Sequence, residues 1–158
     1  MYLMAQIISQ VHRILIKNKK TVAVAESCTG GLVSSLLTEL PNSSAYFILG
    51  VVAYSNKVKT KLLDIPLSLI AEKGAVSKEV ALKLAQGARK LAKTDFGLGI
   101  TGIAGPSGSS PAKPVGTVFI AAANKNKTIC KKFHFTGNRS TIRKKAALQS
   151  LIILKNLL

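Results

Sequence analysis

Apolar residues recur with a helical period over residues 3–17, at Leu3, Ile7, Ile8, Val11, Leu15 and Ile16. The run TVAVA at 21–25 is short and continuous, the pattern of a buried strand. LVSSLLTEL at 32–40 reads as a helix closed by Pro41. FILGVVAY at 47–54 is rich in branched and aromatic residues and predicts a second strand. Ser55 or Asn56 can cap a helix over 57–64, which must stop before Pro66. Residues 67–73 allow one or two further helical turns. Ser77 can cap a helix over 78–93, whose Val80, Leu84, Ala88 and Leu91 share a face. FGLGIT at 96–101 predicts a third strand, followed by a long Gly/Ser/Pro loop over 102–114. The segments 115–124 and 128–135 predict two strands joined by a tight polar turn. A last helix is expected over 139–157, with Ile142, Ala146, Leu148, Leu151 and Ile152 inward.

Helices that alternate with strands predict an α/β chain: one three-layer α/β/α sandwich covering residues 1–158. The late hairpin makes the sheet mixed rather than purely parallel. A chain of 158 residues with 47% hydrophobic residues and mean hydropathy +0.30 can bury a core without disulfides or metals. No apolar run approaches the ~18–20 residues that span a bilayer, so no membrane partner is expected. The first twenty residues lack the layout of a signal peptide, and a cytoplasmic location is the expectation. Two cysteines, Cys28 and Cys130, and two histidines, His12 and His134, provide neither a disulfide scaffold nor metal-ligand spacing.

Charge changes the picture more. There are 23 basic and 6 acidic residues, a net charge of +17. Such a field attracts anions such as nucleotides, nucleic acids and acidic surfaces. The lysines are spread along the chain, aromatics are 5% and Trp is absent, so stacking platforms for single strands are scarce. Nucleic acid is therefore a possible partner but not the favoured one.

Four segments could carry chemistry. Glu26-Ser27-Cys28-Thr29-Gly30-Gly31 falls where a buried strand gives way to a helix, the place where open α/β sheets bind ligands. Free N–H groups at such a helix start could hold a phosphate or the oxyanion of acyl transfer, or could simply cap the turn. Tyr54-Ser55-Asn56-Lys57-Val58-Lys59 repeats the geometry at the next strand-to-helix junction. A side chain in the first helical turn leans back toward the N-terminus, so Lys59 could reach the same cleft as Ser27. A desolvated lysine can act as base toward a serine hydroxyl, and a tyrosine can relay the proton. Thr101-Gly102-Ile103-Ala104-Gly105-Pro106 ends the third strand in a glycine-rich loop, a candidate anion nest that matches neither a P-loop nor a dinucleotide fingerprint. Arg139, at a helix start after Asn138, could fork onto a phosphate or carboxylate. Cys28 is an alternative nucleophile, with Lys59 and Glu26 as partners.

Taken together, AESCTGG, YSNKVK, GAVS, GITGIAGP, KPVGTV and GNR resemble, in order and content, the CinA C-terminal domain family. The resemblance runs from about residue 3 to residue 157. It implies an α/β/α fold and a nicotinamide mononucleotide deamidase, an amidohydrolase releasing nicotinate mononucleotide and ammonia. It implies Ser27, Tyr54 and Lys59 as catalytic residues, with Lys59 matched because the family lysine lies five residues after the tyrosine. Cys28, Thr29, Gly30, Thr101, Gly102, Gly105 and Arg139 are expected at the substrate. No metal or organic cofactor is implied. The loop SGSSPAKP departs from the acidic, glycine-richer run of many members. The other expectation is a catalytically inactive basic nucleotide- or nucleic-acid-binding module linked to competence or DNA damage. A homo-oligomer is expected, as for many enzymes of this size.

Overall fold

A computed structural model describes residues 2–158. Five strands form one sheet, β1 (Val22–Glu26), β2 (Phe47–Val52), β3 (Phe96–Gly102), β4 (Thr117–Ala123) and β5 (Thr128–His134), in the order β2-β1-β3-β4-β5. β1 runs parallel to β2 and β3, whereas β4 and β5 return antiparallel. The mixed sheet expected from the late hairpin is therefore observed.

The helices divide between its two faces. α1 (Tyr2–Lys17), α2 (Leu32–Leu37) and α6 (Arg139–Lys155) cover one face, with Val11, Leu15, Val24, Leu98, Ile120, Ile142 and Leu151 in a common core. α3 (Asn56–Leu63), α4 (Leu67–Lys73) and α5 (Lys78–Ala92) cover the other, around Leu63, Ile65, Val80 and Leu84. Both outer layers bury apolar surface on the sheet, the dominant driving force for such a sandwich.

Two glycines set how closely α5 lies on β3. A Cβ at Gly97 would stand 2.1 Å from Ala85 O, and one at Gly99 would stand 2.4 Å from Ala81 O. Only the absence of a side chain on the strand, with alanines facing it from the helix, admits this approach. The helix caps follow the sequence. Ser55 Oγ accepts from Val58 N, Ser77 Oγ from Val80 N, and Asn138 Oδ1 from Thr141 N.

Some expectations are corrected. The helix at 32–40 ends at Leu37, three residues early, where the Thr38 hydroxyl donates to the carbonyls of Ser34 and Ser35 and competes with the helical ladder. Leu91 is 51% exposed, because α5 buries Val80, Ala81, Leu84, Ala85 and Ala88 and turns Leu91 outward. In α6, Ile153 and Leu154 are buried, while Leu148 and Ile152 only edge the core. No helix among the described residues is long and apolar enough to cross a membrane.

Candidate active site

β1 and β3 deliver their carboxyl ends side by side, and the segments that follow them line one cleft. Its volume is about 290 Å³. Ser27, Cys28, Tyr54, Val76, Gly102, Gly105 and Arg139 are among its walls. The first, second and third strand ends identified in the sequence thus converge with the start of α6.

Glu26 organises the serine turn. It is fully buried as the last residue of β1. Its carboxylate accepts from Gly31 N (2.9 Å), Val33 N (3.1 Å), Ser34 N (2.8 Å) and Ser34 Oγ (2.7 Å). These are the otherwise orphaned donors of the start of α2, and the positive helix end offsets the buried charge. Glu26 is thereby committed to capping and is not a partner for Cys28.

Lys59 comes from α3 and is 1% exposed. Its Nζ donates to Tyr54 O at 2.9 Å and to Ser27 Oγ at 3.4 Å. Among the described residues it has no carboxylate partner. Burial holds its pKa below the ordinary lysine value, against a smaller opposing influence from Cys28. A lysine without a counter-ion, beside a serine hydroxyl, has the environment of a general base.

Tyr54 makes two polar contacts at the cleft. Its carbonyl anchors Lys59, and its hydroxyl accepts from Arg139 Nη2 at 3.0 Å. Arg139 Nη1 also donates to Gly105 O at 2.8 Å, so one guanidinium ties the tyrosine to the glycine-rich loop across the cleft mouth.

Cys28 touches the cleft, but the residue is only 5% exposed. Burial pushes its pKa up to about 12. A protonated thiol is a poor nucleophile, which weighs against the alternative built on Cys28. Thr29 and Thr101 do not line the cleft. Thr29 is fully buried, with no partner for its hydroxyl among the described residues. Thr101 is 1% exposed and donates to Ala75 O at 2.8 Å, bracing the segment that carries Val76. Gly30 also lies outside the cleft wall, in a left-handed turn with φ +59°, donating to Ser27 O.

The sequence reading missed Arg143. Its Nε donates to Cys28 O at 3.1 Å and its Nη2 to Thr29 O at 2.8 Å. With those carbonyls pinned to α6, the N–H groups of Cys28 and Thr29 have no acceptor among the described residues. The available signal was spacing, since Arg139 and Arg143 are four apart on one helix face.

The geometry defines an α/β/α protein with a serine–lysine pair at the carboxyl ends of its parallel strands. The chain belongs to the CinA C-terminal domain family, whose profile matches residues 4–158. It is 51% identical over 141 residues to a CinA-like protein of Geobacter metallireducens, covering 89% of this chain and 34% of that protein. A CinA-like protein of Syntrophus aciditrophicus is 46% identical over 149 residues, covering 94% and 36%. The chain thus spans about a third of the length of these curated relatives. The crystal structure of a competence/damage inducible protein from Agrobacterium tumefaciens superposes with a TM-score of 0.95 at 33% identity, covering 98% of this chain and 95% of that one. A CinA superfamily structure from Escherichia coli gives 0.93 at 31% identity, with 98% and 90% covered.

Proposed function

We propose that this chain is an amidohydrolase that cleaves the carboxamide of nicotinamide mononucleotide, with Ser27 as nucleophile and Lys59 as its base. The observation that carries the reading is the buried Lys59 amine, without a carboxylate partner, 3.4 Å from Ser27 Oγ. The substrate comes from the family resemblance read in the sequence. The cleft is of a suitable chemistry, with a guanidinium at its mouth and loop N–H groups at Ala104, Gly105, Ser107 and Gly108 that have no acceptor among the described residues.

Neutral Lys59 takes the Ser27 hydroxyl proton as Oγ bonds to the carboxamide carbon. The resulting oxyanion lies toward the N–H group of Cys28, which lines the cleft. Lys59 then gives its proton to the amide nitrogen, the C–N bond breaks and ammonia leaves. Water, deprotonated by Lys59, attacks the ester carbon. Oγ departs with the proton, regenerating the serine and yielding nicotinate mononucleotide. The net change adds one water and releases one ammonia. Arg139 and the glycine-rich loop hold the 5′-phosphate, and Tyr54 orients Arg139.

The test is ammonia release from nicotinamide mononucleotide by wild type, Ser27→Ala and Cys28→Ala. Release by wild type and Cys28→Ala but not Ser27→Ala supports the reading. Full activity of Ser27→Ala refutes the nucleophile, and a folded wild type that releases no ammonia refutes the reaction.

A further inference from the structure

The opposite end of the sheet carries a larger concavity, about 370 Å³, lined by Lys20, Arg89, Lys93, Asp95, Asn124 and Lys125 among others. It lies at the amino ends of β1 and β3, whereas Ser27 and Gly102 follow or close their carboxyl ends. Three separate stretches of chain bring four cations to it: the entry to β1, the end of α5 and the β4–β5 turn.

The one carboxylate present is already committed. Asp95 Oδ1 accepts from Lys20 Nζ at 2.9 Å, and Oδ2 accepts from Thr21 N and Thr21 Oγ1, both at 3.0 Å. Arg89 Nε donates to Asp95 O at 3.1 Å, which orients the guanidinium. Its two Nη groups have no acceptor among the described residues, and neither Lys93 nor Lys125 has an ion-pair partner among them. Of the last four carbonyls of α5, those of Arg89 and Lys90 are taken by Thr94 N and Lys93 N. Lys93 itself holds a left-handed conformation, φ +53°, at a position where glycine is the usual occupant. Asn124 Oδ1 is fixed by the N–H groups of Asn126 and Lys127, so its amide NH₂ is the end left to donate.

We propose that this cleft, at the end of the sheet opposite Ser27, is a second anion site that takes a pyrophosphate group, either free or as part of a nucleotide. Four cations and one carboxylate leave a surplus of three positive charges. One phosphoryl group carries about −1.5 to −2, so two linked groups match the cleft better than one. The guanidinium fork and separated ammonium groups suit two adjacent phosphoryl centres. The volume lies in the ordinary range for small-molecule sites.

Calorimetric titration of inorganic pyrophosphate into the full chain, at about 0.15 M salt, tests this. Wild type is compared with the double variant Lys93→Glu/Lys125→Glu, at two exposed positions, and with Arg139→Ala in the other cleft. Expected are saturable binding that includes a site weakened about tenfold or more in the double variant, and persistence of that lysine-dependent site in Arg139→Ala. Inorganic phosphate should bind more weakly than pyrophosphate. ADP that binds more tightly, with the same dependence on the two lysines, identifies a nucleotide as the source; ADP that binds no more tightly identifies free pyrophosphate. The proposal is overturned if folded wild type shows no saturable binding, if the double variant binds as wild type does, or if Arg139→Ala alone abolishes binding. It is also overturned if duplex DNA binds through these lysines, with steep salt dependence, while pyrophosphate does not.

Discussion

Replacing Lys59 by methionine should make the protein more stable and less active at once. Methionine has nearly the length of the lysine stem and fills the same space without a charge. In the native protein Lys59 is 1% exposed, and its Nζ has two acceptors among the described residues, at 2.9 and 3.4 Å. Losing those bonds costs about 1 kcal/mol each. Removing an ammonium desolvated without a counter-ion recovers a penalty of several kcal/mol. The net expectation is a gain of about 1–2 kcal/mol near pH 7, read from the midpoint of urea unfolding. The sign of the pH dependence follows from the lowered pKa. Between the folded and unfolded lysine values the unfolded chain binds the extra proton, so wild-type stability rises with pH across that window. The advantage of methionine is therefore full below the folded value and shrinks as pH approaches that of a free lysine. The proposed ammonia-releasing activity should fall about 10²–10⁴-fold, the usual contribution of a general base. In wild type, activity should climb with pH until Lys59 is neutral. A variant destabilised by more than about 1 kcal/mol would refute the account of Lys59 as an uncompensated buried cation. Stability as expected with undiminished turnover would refute its role as base.

Glu26→Ala strands at least the fully buried Val33 N–H and removes three more bonds to a charged acceptor. It should cost about 3–5 kcal/mol, seen as a fall in Tm of roughly 6–20 °C by calorimetry. Cys28, with its thiol pushed from 9.0 to about 12, should hold about 10³-fold less thiolate at pH 8 than a free cysteine and resist iodoacetamide until the protein unfolds. Mass spectrometry after timed alkylation reads this directly, and rapid native-state modification would contradict the burial.

Most of the secondary structure was legible because its causes are local. The helical period over 3–17, the continuous apolar run at 21–25 and the caps Ser55, Ser77 and Asn138 each depend on residues within a turn or two. The placement of Ser27 beyond a buried strand was legible for the same reason, as was the approach of Lys59 from the first turn of its helix. What the sequence left open involves partners far apart in the chain. Tyr54 was readable as a site residue, but its hydroxyl accepts from Arg139, 85 positions later. Arg143 reads locally as one more basic residue on a helix; the carbonyls of Cys28 and Thr29 that give it meaning lie more than a hundred positions away. The raised Cys28 pKa was likewise not legible, because desolvation depends on every element packed around a thiol and leaves no local pattern. Periodicity fixes which face of an element is apolar. Which distant groups meet at its end is set by strand order and helix packing, and in this fold those bring α6 back over the turn that follows β1.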